Sequence, residues 1–219
     1  MQDVKLQEML EDLERFVAWE GEVEWLPLPA DAAALARFGV PPAWVAALER
    51  DSTPRRLTAL WSPVAGQLPR TSNTFAARAT DLALLRTREH GLSLVYLFDE
   101  GSDVVARRGF APVAALPPLA ERFPIDLLPL YRIHDGLVHM MSYDGGPMRS
   151  RDWQALEDPA SGEVSLVKIA TDGADAFGFD ISEAPARAYA IRPDDEEVEA
   201  VADPWAFLDD LMASRIEDL

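Results

Sequence analysis

The stretch VSLVKIATDGADAFGFDISEAPARAYAIRPDDEEVEAVADPWAFLDDLM, residues 164–212, decides the predicted fold. Runs of β-branched and aromatic residues alternate in it with turn signals such as Thr171-Asp172-Gly173, a pattern typical of short strands joined by tight turns. Four successive strands are predicted, and we expect them to pair in a largely antiparallel or mixed sheet. The period of two places Phe177, Phe179 and Ile181 on one face of that sheet.

The same stretch ends in a predicted helix. Asp203 is suited to be its N-cap, and Pro204 occupies the first helical position, where proline is favoured. The apolar stripe of this helix consists of Trp205, Leu208, Leu211 and Met212. We therefore expect the helix to dock on the sheet, so that the fold class is α+β with a sheet flanked by helices.

Residues 1–115 are predicted to be helix-rich, with at least one strand. An apolar stripe at spacings of three and four indicates a helix over residues 3–18, formed by Leu6, Met9, Leu10, Leu13, Phe16 and Val17. Two short helices are predicted within residues 25–51, a loop over residues 51–73, and a helix from Phe75 to His90. Strands are predicted from Leu92 to Phe98 and near residues 104–113. A soft boundary at residues 105–120 divides the chain into regions 1–115 and 116–219, and the first could pack onto the same core.

The charge limits the functions that the chain could serve. Its 219 residues carry a formal net charge of −18, which argues against DNA or RNA as a partner because a phosphate backbone would be repelled. Residues 121–219 hold 22 acidic and 8 basic side chains, so the acidity is concentrated in this half. Such a field would speed association with a basic partner, or it would serve only solubility.

The remaining composition excludes several other classes. The absence of cysteine rules out disulfides and thiolate metal sites. The first residues show no basic segment followed by an apolar one, and no run of about 18 apolar residues occurs in the sequence. We therefore expect a cytoplasmic protein without a membrane span.

The order of elements in residues 166–212 resembles the C-terminal signature of the SMI1/KNR4 (SUKH) family. The resemblance is carried by the strand ending in Ile169-Ala170, the turn 171–173, the aromatic strand ending in Phe179-Asp180, the strand 188–191, the acidic segment 194–197 and the helix opening with Trp205. Upstream, Phe123-Pro124 is similar to the family's Leu-Pro opening, with Phe in place of Leu. His134-Asp135-Gly136 stands where the family has Asn-Gly-Gly. The resemblance covers about residues 118–215.

The resemblance implies an α+β domain that binds other proteins, without catalysis and without a cofactor. It further implies an immunity protein that neutralises a cognate bacterial toxin by covering its active site, the toxin having a basic cleft. One alternative is a regulatory protein-interaction scaffold without a toxin target. A third reading is an enzyme or small-molecule binder formed by residues 1–115, although common catalytic motifs are absent from the sequence. The oligomeric state stays open.

The densest charged run in the sequence consists of Asp194, Asp195, Glu196, Glu197 and Glu199. We predict that these residues bind the partner, because carboxylates can neutralise the lysines and arginines of a nuclease-type cleft. The structural alternative is that a charged turn keeps a hairpin soluble and discourages pairing at the sheet edge.

The histidines give weaker signals of a functional site. His134 and His139 are five residues apart, which does not suit two metal ligands on one helical face, so a structural role is expected. His90 ends the helical pattern that begins at Phe75, where a cation would be favourable at a helix C-terminus.

Aspartates and tryptophans complete the set of candidates. Asp172, Asp175 and Asp180 do not have the spacing of an EF-hand loop, and turn chemistry explains Asp172-Gly173 more simply. Four tryptophans lie in turn-rich segments, namely Trp25, Trp44, Trp61 and Trp153. For any single one a position in the core is expected, while at least one could be an exposed anchor. No metal site, cofactor or catalytic residue is predicted.

Overall fold

A computed structural model describes residues 2–99, 104–157, 164–182, 184–192 and 197–217. The α-helices of this part are α1 (Gln2–Val17), α2 (Ala32–Arg37), α3 (Pro42–Leu48), α4 (Thr53–Trp61), α5 (Pro69–Arg78), α6 (Leu128–Tyr131) and α7 (Pro204–Glu217). The strands are β1 (Val23–Pro27), β2 (Asp81–Thr87), β3 (Gly91–Asp99), β4 (Val104–Phe110), β5 (Leu137–His139), β6 (Gly146–Pro147), β7 (Gln154–Glu157), β8 (Val164–Asp172), β9 (Asp175–Asp180), β10 (Arg187–Arg192) and β11 (Glu197–Val201). They form two antiparallel sheets, which confirms the predicted α+β class.

The strands predicted for the second half are present in what we call sheet B, ordered β11-β10-β9-β8-β6 with β7 also paired to β8. β8 and β9 form a hairpin in which Asp172 pairs with Asp175. Gly173 in the turn has a φ of +61°, a conformation that glycine adopts without strain. α7 follows as predicted, and the Asp203 carboxylate accepts a hydrogen bond from the Ala206 N–H at 3.0 Å.

Strands β1 to β5 form sheet A, in that order, and helices cover both of its faces. α1 places Leu10 and Leu13 in an apolar cluster with Leu85 on one face. On the other face, Leu84 belongs to the main core together with Trp61 of α4. The predicted helix over residues 3–18 is therefore confirmed, and it closes one side of the sheet.

Two predictions for the first half are wrong. Residues 81–87 form β2 and do not continue a helix to His90. Because both faces of β2 are buried, its leucines occur without the alternation that marks a half-buried strand. Residues 51–73 do not form a loop, since they contain α4 and the start of α5. Pro54 and Pro69 lie in the first turns of these helices, where the missing N–H costs no hydrogen bond.

α7 packs on the inner face of sheet B, as the apolar stripe predicts. Its Phe207 ring stacks on Phe177 with ring centroids 4.8 Å apart and planes inclined by 18°. Leu208 and Met212 have no exposed surface. Phe179, also on this face, contacts Phe123 at a centroid distance of 4.5 Å.

Residues from both predicted regions share the main core. β4 pairs with β5 across the proposed boundary. The buried Asp209 carboxylate of α7 accepts hydrogen bonds from the N–H groups of Arg70 and Thr71 in the first turn of α5, at 2.9 and 2.7 Å. Residues 1–115 thus pack onto the same core as the second region.

Candidate protein-binding surface

The described residues leave one face of sheet B open. Along β10, Ala188 and Ala190 are buried on the side of α7, so the residues that alternate with them face the opposite way. The register extends this outer face to β11 and, through β8, to β7. Its large apolar side chains, which we call the apolar face, are Leu156, Leu166, Tyr189, Ile191 and Val198.

The apolar face is exposed to an unusual degree. Val198 is 66% exposed and Leu156 is 48% exposed, while the other three side chains are half-buried. Leu166, Tyr189, Ile191 and Val198 line a single shallow depression together with Ser165 and Asp180. By the register, Lys168 and Asp180 also lie on this outer face, beside Tyr189 and Leu166. Exposed apolar side chains on an uncovered sheet face are typical of an interaction site, because such a face normally packs against another layer.

One end of sheet B is acidic. Ala176 pairs with Ile191, so the β8–β9 turn lies beside the end of β10 and brings Asp172 and Asp175 there. Asp144 accepts a hydrogen bond from the Gly173 N–H at 3.2 Å, and therefore lies beside the same turn. The acidic end, as we define it, consists of Asp144, Asp172, Asp175 and, on the adjacent part of α7, Asp210.

A groove of about 190 Å³ opens at the acidic end, between α7 and sheet B. The stacked rings of Phe177 and Phe207 contribute to its lining, together with the carboxylates of Asp172, Asp175 and Asp210. Arg192 also lines this groove and Asp210 pairs with Arg70, so part of its negative charge is balanced by the chain's own arginines.

The structure describes only part of the predicted partner-binding run. Asp194, Asp195 and Glu196 lie outside the described residues. Glu197 begins β11, where it pairs with Arg192 at the end of the ladder nearest the β8–β9 turn. Glu199 is exposed, but it pairs with the buried Ala190 and so lies on the α7 side of the sheet, where the Arg192 Nη1 donates to its carboxylate at 2.9 Å.

The three candidate histidines lie in different environments. His134 is buried in the core with its ring centroid 5.3 Å from that of Trp44, and burial lowers its pKa to about 3. His139 is half-buried and pairs with Arg107 in the β4–β5 ladder. His90 lies in the turn between β2 and β3, so the helix-capping prediction for it is wrong. Among the described residues, no group of three His, Asp or Glu side chains is placed to hold a metal ion.

The remaining candidates divide between turns, core and surface. Asp180 accepts hydrogen bonds from the N–H and hydroxyl of Ser182 at 2.9 and 2.6 Å, so this carboxylate stabilises a local turn. Trp44 and Trp61 are buried, while Trp25 and Trp153 are half-buried. The exposed tryptophan is Trp19, which the sequence pattern does not separate from the adjoining helix.

No family model, curated protein or solved structure matches this chain. The resemblance to the SMI1/KNR4 family therefore rests on the residues quoted for it. Among the described residues, no helix combines the length and apolar character that crossing a membrane requires.

Proposed function

We propose that this chain is an immunity protein that binds a bacterial toxin with a basic cleft and covers the toxin's active site. The observation that supports this most strongly is the open apolar face of sheet B beside the acidic end. The proposal includes a cytoplasmic location, and it requires no catalytic residue, metal or cofactor of this chain.

The two parts of the surface have different roles in this proposal. Apolar side chains at the centre of an interface supply most of the affinity, because they leave water on binding. Charges at its margin mainly raise the association rate and select the partner. Ile191 and Val198 are paired across β10 and the edge strand β11 close to the acidic end, and Val198 is the more exposed of the two.

Co-expression with the product of the neighbouring gene tests the proposal. We expect the wild-type chain to restore growth to a bacterial host that makes this product and to co-purify with it. Val198→Glu should lose both effects, because it introduces a charge among the apolar residues without disturbing the core. Met141→Glu is the matched control, since Met141 is also a large exposed apolar residue but lies outside the apolar face. Failure of the wild-type chain in both assays would contradict the proposal.

A regulatory interaction scaffold is the second candidate, because the same apolar face would also suit a basic partner that is not a toxin. The two functions differ in what binding does to the partner. If the chain is a scaffold, a pull-down from host lysate should recover a partner whose own activity is unchanged in the complex. That recovery should depend on Val198. An immunity protein would abolish the partner's activity at equimolar concentration.

A further inference from the structure

Two arginines converge on one imidazole nitrogen in a part of the molecule that the proposed function does not use. Arg149 Nη1 lies 3.1 Å and Arg151 Nη2 lies 3.2 Å from His90 Nδ1. Because a guanidinium only donates, Nδ1 must accept, and the ring proton is on Nε2. Burial, followed by the nearby arginines, lowers the pKa of His90, so the ring is neutral at pH 7.

The carboxylates near these arginines are poorly placed to satisfy them. Asp135 Oδ2 lies 3.7 Å from Arg149 Nε, while its Oδ1 accepts the Ser150 N–H at 2.8 Å. Asp152 Oδ1 lies 3.6 Å from Arg151 Nε, and both of these side chains are about half exposed. Arg149 Nη1 and Arg151 Nη2 therefore both donate to the single Nδ1 lone pair of the neutral His90 ring. A guanidinium can bind a carboxylate or phosphate through two parallel charge-assisted hydrogen bonds, which a single ring nitrogen cannot accept.

The surroundings of His90 are held in place by other contacts. Asp135 fixes the turn that carries Arg149 and Arg151 through its bond to Ser150. Trp19 lies edge-on to His90, with ring centroids 5.8 Å apart, and its Nε1 donates to the Phe16 carbonyl at 2.9 Å. The Trp19 ring is nevertheless 66% exposed, so it presents an apolar surface beside His90.

We propose that Arg149, whose side chain is 13% exposed, and the half-exposed Arg151 bind a doubly charged oxyanion of the phosphate class, in a site completed by His90 and Trp19. Two guanidiniums can each present a fork of N–H donors to one phosphate, whereas a carboxylate has oxygens for only one such fork. The exposed Trp19 ring would cover an uncharged part of the molecule that carries the phosphate. The site uses different residues from the apolar face, so it stands or falls independently of the proposed function.

Titration of the full chain with inorganic phosphate at constant ionic strength tests this site. The readouts are the His90 imidazole and Trp19 indole resonances, with chloride as the background anion. We expect saturable shifts of both resonances and an upward shift of the His90 pKa, because a bound dianion favours the imidazolium. Arg151→Gln should weaken phosphate binding by about tenfold or more, since it removes one charge-assisted donor pair.

Arg55→Gln is the matched control, because Arg55 is an exposed arginine on α4 that pairs with Asp51 at 2.7 Å and has no part in this site. It should bind phosphate as the wild type does. Shifts that do not saturate, or that persist unchanged in Arg151→Gln, would overturn the proposal. Equal affinity for acetate and phosphate would overturn the assignment to a doubly charged oxyanion.

Discussion

Arg108 and Glu20 form an ion pair in which neither side chain has any exposed surface, with Nη1 and Oε1 2.6 Å apart. The pair joins the centre of sheet A to the turn that follows α1. Thr87 donates a hydrogen bond to the other Glu20 oxygen at 2.6 Å, and the Tyr143 hydroxyl also binds the carboxylate. Burial lowers the pKa of Arg108, and the bond to Glu20 opposes that shift. Glu20 is therefore the counter-charge that offsets the cost of burying the Arg108 guanidinium, which remains protonated.

Replacement of Glu20 by Gln should destabilise the fold severely. The variant leaves the Arg108 charge buried without a counter-charge, which costs about 3–5 kcal/mol. Chemical denaturation at pH 7 measures this loss. Glu24→Gln is the control, because Glu24 forms an exposed pair with Arg86 at 2.8 Å, and its loss should cost less than about 1 kcal/mol. Equal effects of the two substitutions would show that burial of the first pair has no energetic consequence.

The contact between Asp209 and α5 should hold the two halves of the chain together. Asp209→Asn should lower the free energy of unfolding by about 1–3 kcal/mol, because a buried carboxylate that accepts two backbone N–H bonds is lost. Asp210→Asn is the neighbouring control, since Asp210 is exposed and pairs with Arg70 at the surface. Fluorescence and circular dichroism should report one coincident unfolding transition for the wild type. Two separate transitions would contradict a shared core.

Protonation of His134 should destabilise the protein in acid. Its pKa is about 3 in the folded chain and about 6.5 when unfolded, so only the unfolded state takes up this proton between those values. The stabilising effect is complete above pH 6.5 and is lost as the pH falls towards 3. The free energy of unfolding of the wild type, relative to that of His134→Gln, should therefore fall by about 2 kcal/mol between pH 7 and pH 5. Parallel stability curves for the two proteins would contradict this account.

Local turn chemistry explains why the second half is predictable. Gly173 adopts a left-handed turn between two runs rich in β-branched and aromatic residues, so β8 and β9 follow from the sequence even though residues 176–179 are all buried. Asp203 and Pro204 likewise mark the start of α7. By contrast, β2 is buried on both faces, which removes the alternation from its sequence. Its strand character depends on α1, a long-range contact that no local pattern reports.

The candidate surface is only partly predictable from the sequence, because burial on one side of a sheet is a tertiary property. Alternation separates Tyr189 from Ala190, but it does not say that the Tyr189 side stays uncovered. Of the acidic run predicted to bind the partner, the structure describes Glu197 and Glu199, and Glu197 begins β11 beside Arg192. Asp144 and Asp210 come to the same end through separate segments, and no spacing in the sequence connects them. The exposed Trp19 is missed because an apolar residue at a helix end resembles a core residue.

Binding affinity for the product of the neighbouring gene tests the central claim most directly. Isothermal titration would compare the wild-type chain, Val198→Glu and Met141→Glu at equal ionic strength. The proposal predicts that Val198→Glu weakens binding by about 100-fold or more, as expected for a charge placed in the apolar part of an interface, while Met141→Glu binds like the wild type. Tight binding that Val198→Glu leaves unchanged would contradict the claim that the open face of sheet B receives the partner.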